Sequence, residues 1–367
     1  MTTPGSGRIE DLLGAHVAAG DFPGASYLVA EADRVIAEGA VGRAVLVPEV
    51  IPARSDTLYD LASLTKPLAG ALLAVLFESE GRWSLDDPLA RHLPEWTPTD
   101  ARASITLRDL LTHRSGLPAW KPLYLYATDR PQRIEWLARH APLERPPGRG
   151  VAYSCPGYIL LGLALERVAQ RPLDRLFGER VAAPLGLDGV LFRPPAALRP
   201  RIAATESGNA RERSLAGPDG EGYNGWRTEV IWGEVHDHNA CTLEGRSANA
   251  GLFGTARAVH AVALEILGAG KGLVPAGLRP VFGINATPGL QEDRSVGFQL
   301  ASTSGSSAGP GLAATSAGHT GFTGTSLWID FAARRIYVLL TNRVHPHFRD
   351  LEMNAIRRAF HEVAAAL

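Results

Sequence analysis

The chain of 367 residues is poor in cysteine, in lysine and in net charge. Its two cysteines, Cys155 and Cys241, cannot make a disulfide framework; they suit a reduced compartment without excluding an oxidising one. Net charge is −1 with no long basic or acidic run, so no nucleic-acid partner is expected, and an anionic membrane surface gains no electrostatic support. No stretch approaches the ~20 apolar residues of a membrane span. The opening residues MTTPGSGRIEDLLGAH carry no basic segment followed by an apolar core. As it stands the sequence is expected to be cytoplasmic; with a leader trimmed it would be periplasmic or secreted. Lysine occurs only as Lys66, Lys121 and Lys271, and every other basic residue is arginine. Arginine keeps its proton near neutral pH, whereas a buried lysine can release it. One of the few amines able to accept a proton therefore stands three residues after a serine.

An apolar content of 45% and a charged content of 20% fit a globular protein with a large core and one or two domains. Apolar spacing predicts a helix over 8–19, strands over 24–32 and 34–42, and a long apolar helix from Ser63 to Glu80. Between 84 and 245 the pattern is helices (105–113, 131–140, 158–170) broken by Pro- and Gly-rich loops, with 200–245 irregular and polar. A capped loop enters a helix over 249–268. Strands follow over 295–301, 317–329 and 335–341, and a helix over 347–367 closes the chain. Strands at both ends and helices between predict an α/β (α+β) fold, an antiparallel sheet flanked by helices plus an all-helical domain. The expected division is 1–62 with 246–367 as the sheet domain and 63–245 as the helical domain, the site lying in the cleft between them.

Ser63-Leu64-Thr65-Lys66 places a hydroxyl and an amine on one helix face. A serine attacks a carbonyl only when a neighbouring base takes its proton, and Lys66, desolvated and so lowered in pKa, is the first candidate. Tyr153-Ser154-Cys155 follows a Pro-Pro-Gly turn and precedes an apolar helix. A tyrosine beside a lysine ammonium is expected to have a depressed pKa and to shuttle protons. His319-Thr320-Gly321 opens the expected strand GHTGFTGTSLWIDF, whose glycines let backbone approach a ligand. The N–H groups of Ser63 and Phe322 could there stabilise an oxyanion.

The three motifs, in this order, resemble the serine β-lactamase and penicillin-binding-protein superfamily. Asp60 to Pro67 looks like its nucleophile segment. Leu107 to Leu117 (LRDLLTHRSGL), Pro147 through Tyr153 to Gly162, Glu234 to Asp237 with Ala250 to Phe253, and His319 to Gly324 resemble further stretches, so the likeness runs over about residues 10 to 365. It implies a five-stranded antiparallel sheet flanked by helices and no metal or organic cofactor. Ser63 would be the acylated nucleophile, Lys66 would take or relay its proton, and Tyr153 would act as general base and then acid. Cys155, His319, Thr320 and Gly321 would bind a small acyl substrate: an ester, amide or lactam.

Two positions depart from the superfamily pattern. Cys155 stands where β-lactamases carry an asparagine that donates to a substrate amide, and a thiol is a weak donor. His319 stands where lysine is commoner, and a largely neutral imidazole holds a carboxylate less firmly. Both point to a carboxylesterase of uncharged or weakly charged acyl substrates, ahead of a D-alanyl-D-alanine carboxypeptidase or weak β-lactamase. A penicillin-binding-like domain that acylates without turnover is the reading of another class. His236-Asp237-His238 invites a zinc reading, but no second cluster supplies the remaining ligands. Trp120, Trp226 and Trp232 are candidates to line an acyl pocket.

Overall fold

The computed structural model describes residues 6–367. Strands β1 (Gly24–Glu31), β2 (Arg34–Val45) and β3 (Ile51–Pro52) come from the N-terminal part of the chain. A separate small sheet holds β4 (Tyr59–Asp60), β5 (Val190–Phe192) and β6 (Leu252–Gly254) in the order β4-β6-β5. Strands β7 (Arg294–Ser295), β8 (Phe298–Leu300), β9 (Ala317–Thr320), β10 (Ser326–Asp330) and β11 (Arg335–Thr341) complete the main sheet. Its order is β3-β2-β1-β11-β10-β9-β8-β7, antiparallel throughout, with β1 and β11 paired at its centre (Tyr27 opposite Leu339). The resemblance implies five strands; the sheet has eight, because the short strands β3, β7 and β8 extend its edges.

Both faces are covered. Alternation along β1 sends Ala25, Tyr27 and Val29 beneath the terminal helices Ser6–Ala19 and Met353–Ala365, where they meet Ile9, Leu13 and Phe360. Leu28 and Ala30 face the opposite core, which includes Val259, Val262 and Ile266 of the helix Ala256–Leu267. The same core continues through the helices of the middle of the chain.

Three expected elements are interrupted at positions that shape the site. The helix expected over 63–80 is a 3-10 turn at Ala62–Leu64, a π-helical stretch at Lys66–Ala71 and an α-helix only from Leu72 to Ser79. Pro67 removes a donor from the first turn, and such widened turns recur at functional sites. The strand expected over 317–329 is a hairpin, β9 and β10, folded at residues 321–325. Gly324 turns the chain with φ +103°, and a Cβ there would lie 1.9 Å from Thr341 Oγ1. The strand expected over 295–301 is split into β7 and β8 at Gly297, which has φ +83°. The irregular 200–245 segment holds only short helical turns, Ala210–Ala216 and His238–Cys241 among them.

Candidate active site

Ser63 sits in the 3-10 turn that leaves β4. Ala62 before it has φ +47°, a conformation that L-residues adopt only when their surroundings impose it. The Asp60 carboxylate imposes it, accepting from the N–H of Ala62 at 2.8 Å and of His236 at 2.7 Å. The Thr65 hydroxyl donates to Ala62 O at 2.6 Å.

Lys66 is fully buried. Its ammonium donates to Ser63 Oγ at 3.0 Å and to the carbonyl of Asn249 at 3.0 Å, and meets Cys155 Sγ at 3.5 Å. These three partners match the three protons of an ammonium group. Burial works against that charge, but Cys155, Tyr153 and Asp237 more than offset it, and the pKa lies above that of an ordinary lysine. The expected lowering of Lys66 is therefore not what this environment produces.

Tyr153 immediately precedes Ser154, whose side chain caps the helix Cys155–Ala169 by accepting from Gly157 N–H at 3.0 Å. Ser154 is pinned in turn, donating through its own N–H to His113 Nδ1 at 3.0 Å and through Oγ to Pro118 O at 2.9 Å. The Tyr153 ring lies against His113, centroids 4.5 Å apart, with the Lys66 ammonium 5.0 Å from its own centroid. Burial raises the Tyr153 phenol above its ordinary pKa, although Lys66 and Ser63 pull it down. The expected depression is reversed because desolvation of a phenolate outweighs one neighbouring cation. Burial likewise raises the Cys155 thiol, against the pull of Lys66.

His319 is buried on β9. Its Nδ1 lies 2.8 Å from the carbonyl of Thr320, so that nitrogen carries the proton. Burial, then Lys66 and Arg294, push its pKa well below the ordinary value, and it is neutral at pH 7. His113 is neutral for the same leading reason.

A cavity of about 380 Å³ opens above Ser63. Ser63, Tyr153, Cys155, Thr320, Gly321 and Phe322 line it, together with Trp120, Leu215 and Ala250; His319 does not. Trp226 instead stacks on His238, and Trp232 donates to Ile202 O at 2.8 Å, so neither reaches the cavity. Three arginines that sequence patterns did not single out, Arg211, Arg343 and Arg357, also line it. Arg211 and Arg343 lie over the Phe348 ring, 4.8 and 5.3 Å from its centroid, and neither forms an ion pair among the described residues. Glu212 is on the same wall, its carboxyl pushed well above the usual range by burial and then by Asp237.

The residues of the zinc reading turn to separate partners. His236 Nε2 meets Glu206 Oε2 at 2.9 Å, His238 Nε2 meets the Tyr223 hydroxyl at 3.1 Å, and Asp237 accepts from Ala240 N–H at 2.7 Å. Among the described residues no group of three or more His, Cys, Asp or Glu is placed to hold a metal ion, and no helix is long and apolar enough to cross a membrane.

The model of the family described as Beta-lactamase matches residues 9–362. A protein of Escherichia coli (strain K12) named "Putative D-alanyl-D-alanine carboxypeptidase" is 32% identical over 370 residues, 91% of this chain and 81% of its own length. An N-acetylmuramyl-L-alanine amidase of Bacillus subtilis (strain 168) is 29% identical, over 95% of this chain and 83% of its own length. Among solved structures, EstCE1, a hydrolase with promiscuous acyltransferase activity, superposes with a TM-score of 0.75 at 22% identity, over 98% of both chains. A penicillin-binding-protein homologue from Caulobacter crescentus has the same score and identity, over 100% of this chain and 98% of its own. The chain therefore belongs to the β-lactamase family and is a hydrolase of the β-lactamase and penicillin-binding type.

Proposed function

We propose that the protein is a serine hydrolase acting through an acyl-enzyme on Ser63, with small carboxylic esters as the first substrate class. The supporting observation is the 3.0 Å contact between Lys66 Nζ and Ser63 Oγ at the floor of an open cavity. Ala62, Ala250 and Thr320, from the expected sheet domain, supply one wall of the cleft, and Ser63, Trp120 and Tyr153, from the expected helical domain, supply the other.

Ser63 Oγ attacks the substrate carbonyl carbon while its proton passes to the Lys66–Tyr153 pair. The pair titrates as a unit, and its active form has lost one proton. The N–H groups of Ser63 and Phe322 receive the oxyanion. Tyr153 then protonates the departing alcohol, and a water repeats the sequence on the acyl-enzyme. Because both members of the pair are raised, kcat/KM rises with pH from neutrality into the alkaline range. Hydrolysis of p-nitrophenyl butyrate by wild type and by Ser63→Ala tests the assignment: activity lost in the variant supports it, and equal rates in both sink it. An adduct on Ser63 that persists for hours in an intact mass spectrum would favour acylation without turnover.

A second reading, a D-alanyl-D-alanine carboxypeptidase, gains support from Arg211, Arg343 and Arg357 beside the cavity. Guanidinium groups suit a substrate that keeps a free carboxylate. On this reading Arg211→Ala with Arg343→Ala raises KM for carboxylated substrates by about ten-fold, the loss of roughly 1.4 kcal/mol of binding, and leaves neutral esters unaffected. The neutral His319 adds no pH-dependent charge, so carboxylated and neutral substrates should share one pH profile.

A further inference from the structure

The two N–H groups assigned to the oxyanion sit on different parts of the chain, Ser63 after β4 and Phe322 in the β9–β10 turn. Hydrogen bonds closing these segments use other donors: Leu64 and Thr65 around the nucleophile, Gly321 and Gly324 in the turn. Ser63 and Phe322 N–H groups lie outside both sets. What joins the segments is a pair of side chains that do not line the cavity. The Thr323 hydroxyl donates to Asp60 O at 2.8 Å, and the Thr325 hydroxyl donates to Leu61 O at 3.0 Å. Both threonines are buried, 1% and 0% exposed.

The packing leaves no slack. A Cβ on Gly321 would lie 2.0 Å from Thr325 Oγ1 and 2.7 Å from Leu61 O, so the turn rests directly on the backbone that enters Ser63. The acceptor side is equally fixed. Asp60 holds Ala62, and Leu61 N–H donates to Leu252 O at 3.0 Å. On the turn itself, Gly321 N–H donates to Thr325 O at 2.8 Å and Arg357 Nη2 donates to Gly321 O at 2.9 Å. Two internally rigid segments are thus joined by two hydroxyls.

We propose that Thr323 and Thr325 are positioning residues that set the separation between the Ser63 and Phe322 N–H groups. This deepens the acyl-enzyme reading and rests on it. An oxyanion hole works when both donors lie about 2.7–3.1 Å from the oxygen that becomes charged. A shift of about 1 Å at a reacting centre costs on the order of a hundred-fold in rate. Neither threonine touches substrate, so replacing one changes the transition state more than the bound ground state.

The test is Thr323→Val, Thr325→Val and the two serine variants, assayed on a p-nitrophenyl ester and the matching thionoester, with Ser63→Ala as control. Valine keeps the shape and removes the donor. Expected is a fall in kcat of roughly 10- to 100-fold per valine variant with KM nearly unchanged, recovery in Thr→Ser, and a changed ester-to-thionoester ratio. A merely structural role would slow both substrates equally, and that result overturns the proposal, as does wild-type kcat in both valine variants. A Ser63→Ala control as active as wild type would instead sink the acyl-enzyme reading itself.

Discussion

The terminal-helix face of the main sheet and the cavity side are both deeply buried, yet they are built from different chemistry. Under the helices Ser6–Ala19 and Met353–Ala365 the contacts are those of Ile9, Leu13, Tyr27, Trp328 and Phe360. Around the cavity, burial falls on Lys66, Asp60, His113, His319, Thr323 and Thr325. Apolar burial is non-directional and roughly proportional to area, so the first region tolerates imprecise geometry and contributes stability. Polar burial gains only where each group finds its partner. The second region therefore gives fixed geometry at little profit in stability. Fold and chemistry are to that extent separable, and substitutions in each region should tell them apart.

The largest separation is expected at Lys66. Lys66→Met should lower kcat/KM by on the order of a thousand-fold or more, as loss of a catalytic-unit member does. It should lower the melting temperature only slightly, because methionine keeps the volume and the cost is the donor lost to the Asn249 carbonyl. Kinetics with calorimetry on the same preparation checks this; a variant that loses much of its stability would place Lys66 in the structural class. Phe360→Ala is the reverse case. Phe360 is 0% exposed beneath the sheet, and its truncation should cost about 3–5 kcal/mol. The activity of the fraction that remains folded should be unchanged. A fall in kcat alongside the stability loss would show that the terminal-helix layer also tunes the site.

The same contrast decides what was legible in the sequence. Strands β1 and β11 were readable as short, nearly continuous apolar runs, buried on both faces. Ser63, Lys66 and Tyr153 were readable because their chemistry is carried by short motifs. Groups assembled from distant parts of the chain left no such mark. The carbonyl of Asn249, which holds Lys66, is backbone and has no residue signature. Arg211, Arg343 and Arg357 come from an irregular segment, the loop after β11 and the last helix, and converge only in the fold. The pKa directions of Lys66 and Tyr153 depend on how completely tertiary packing excludes water, which no spacing reports. The break of the expected 317–329 strand was foreshadowed by Gly321 and Gly324, glycines where only Gly fits.

His361 offers the finest test, since it is a titratable group fully buried between the main sheet and the helix Met353–Ala365. It is 0% exposed, with Nδ1 2.8 Å from Ser307 O and its ring edge-on to Trp328 and Tyr337. Burial pushes its pKa down to about 4 from an ordinary value of 6.5. As pH falls below 6.5 the unfolded chain takes up this proton while the folded chain does not. The stability tied to neutral His361 is therefore complete above about pH 6.5 and drains away towards pH 4. The shift corresponds to about 3 kcal/mol at the acid end. Urea unfolding at a series of pH values should show this slope in wild type and a shallower one in His361→Gln, with esterase activity at pH 7.5 the same in both. Parallel slopes would mean that the acid sensitivity belongs to the other histidines whose pKa burial lowers, His113, His238, His260, His319 and His345, and that the terminal-helix layer has no part in it.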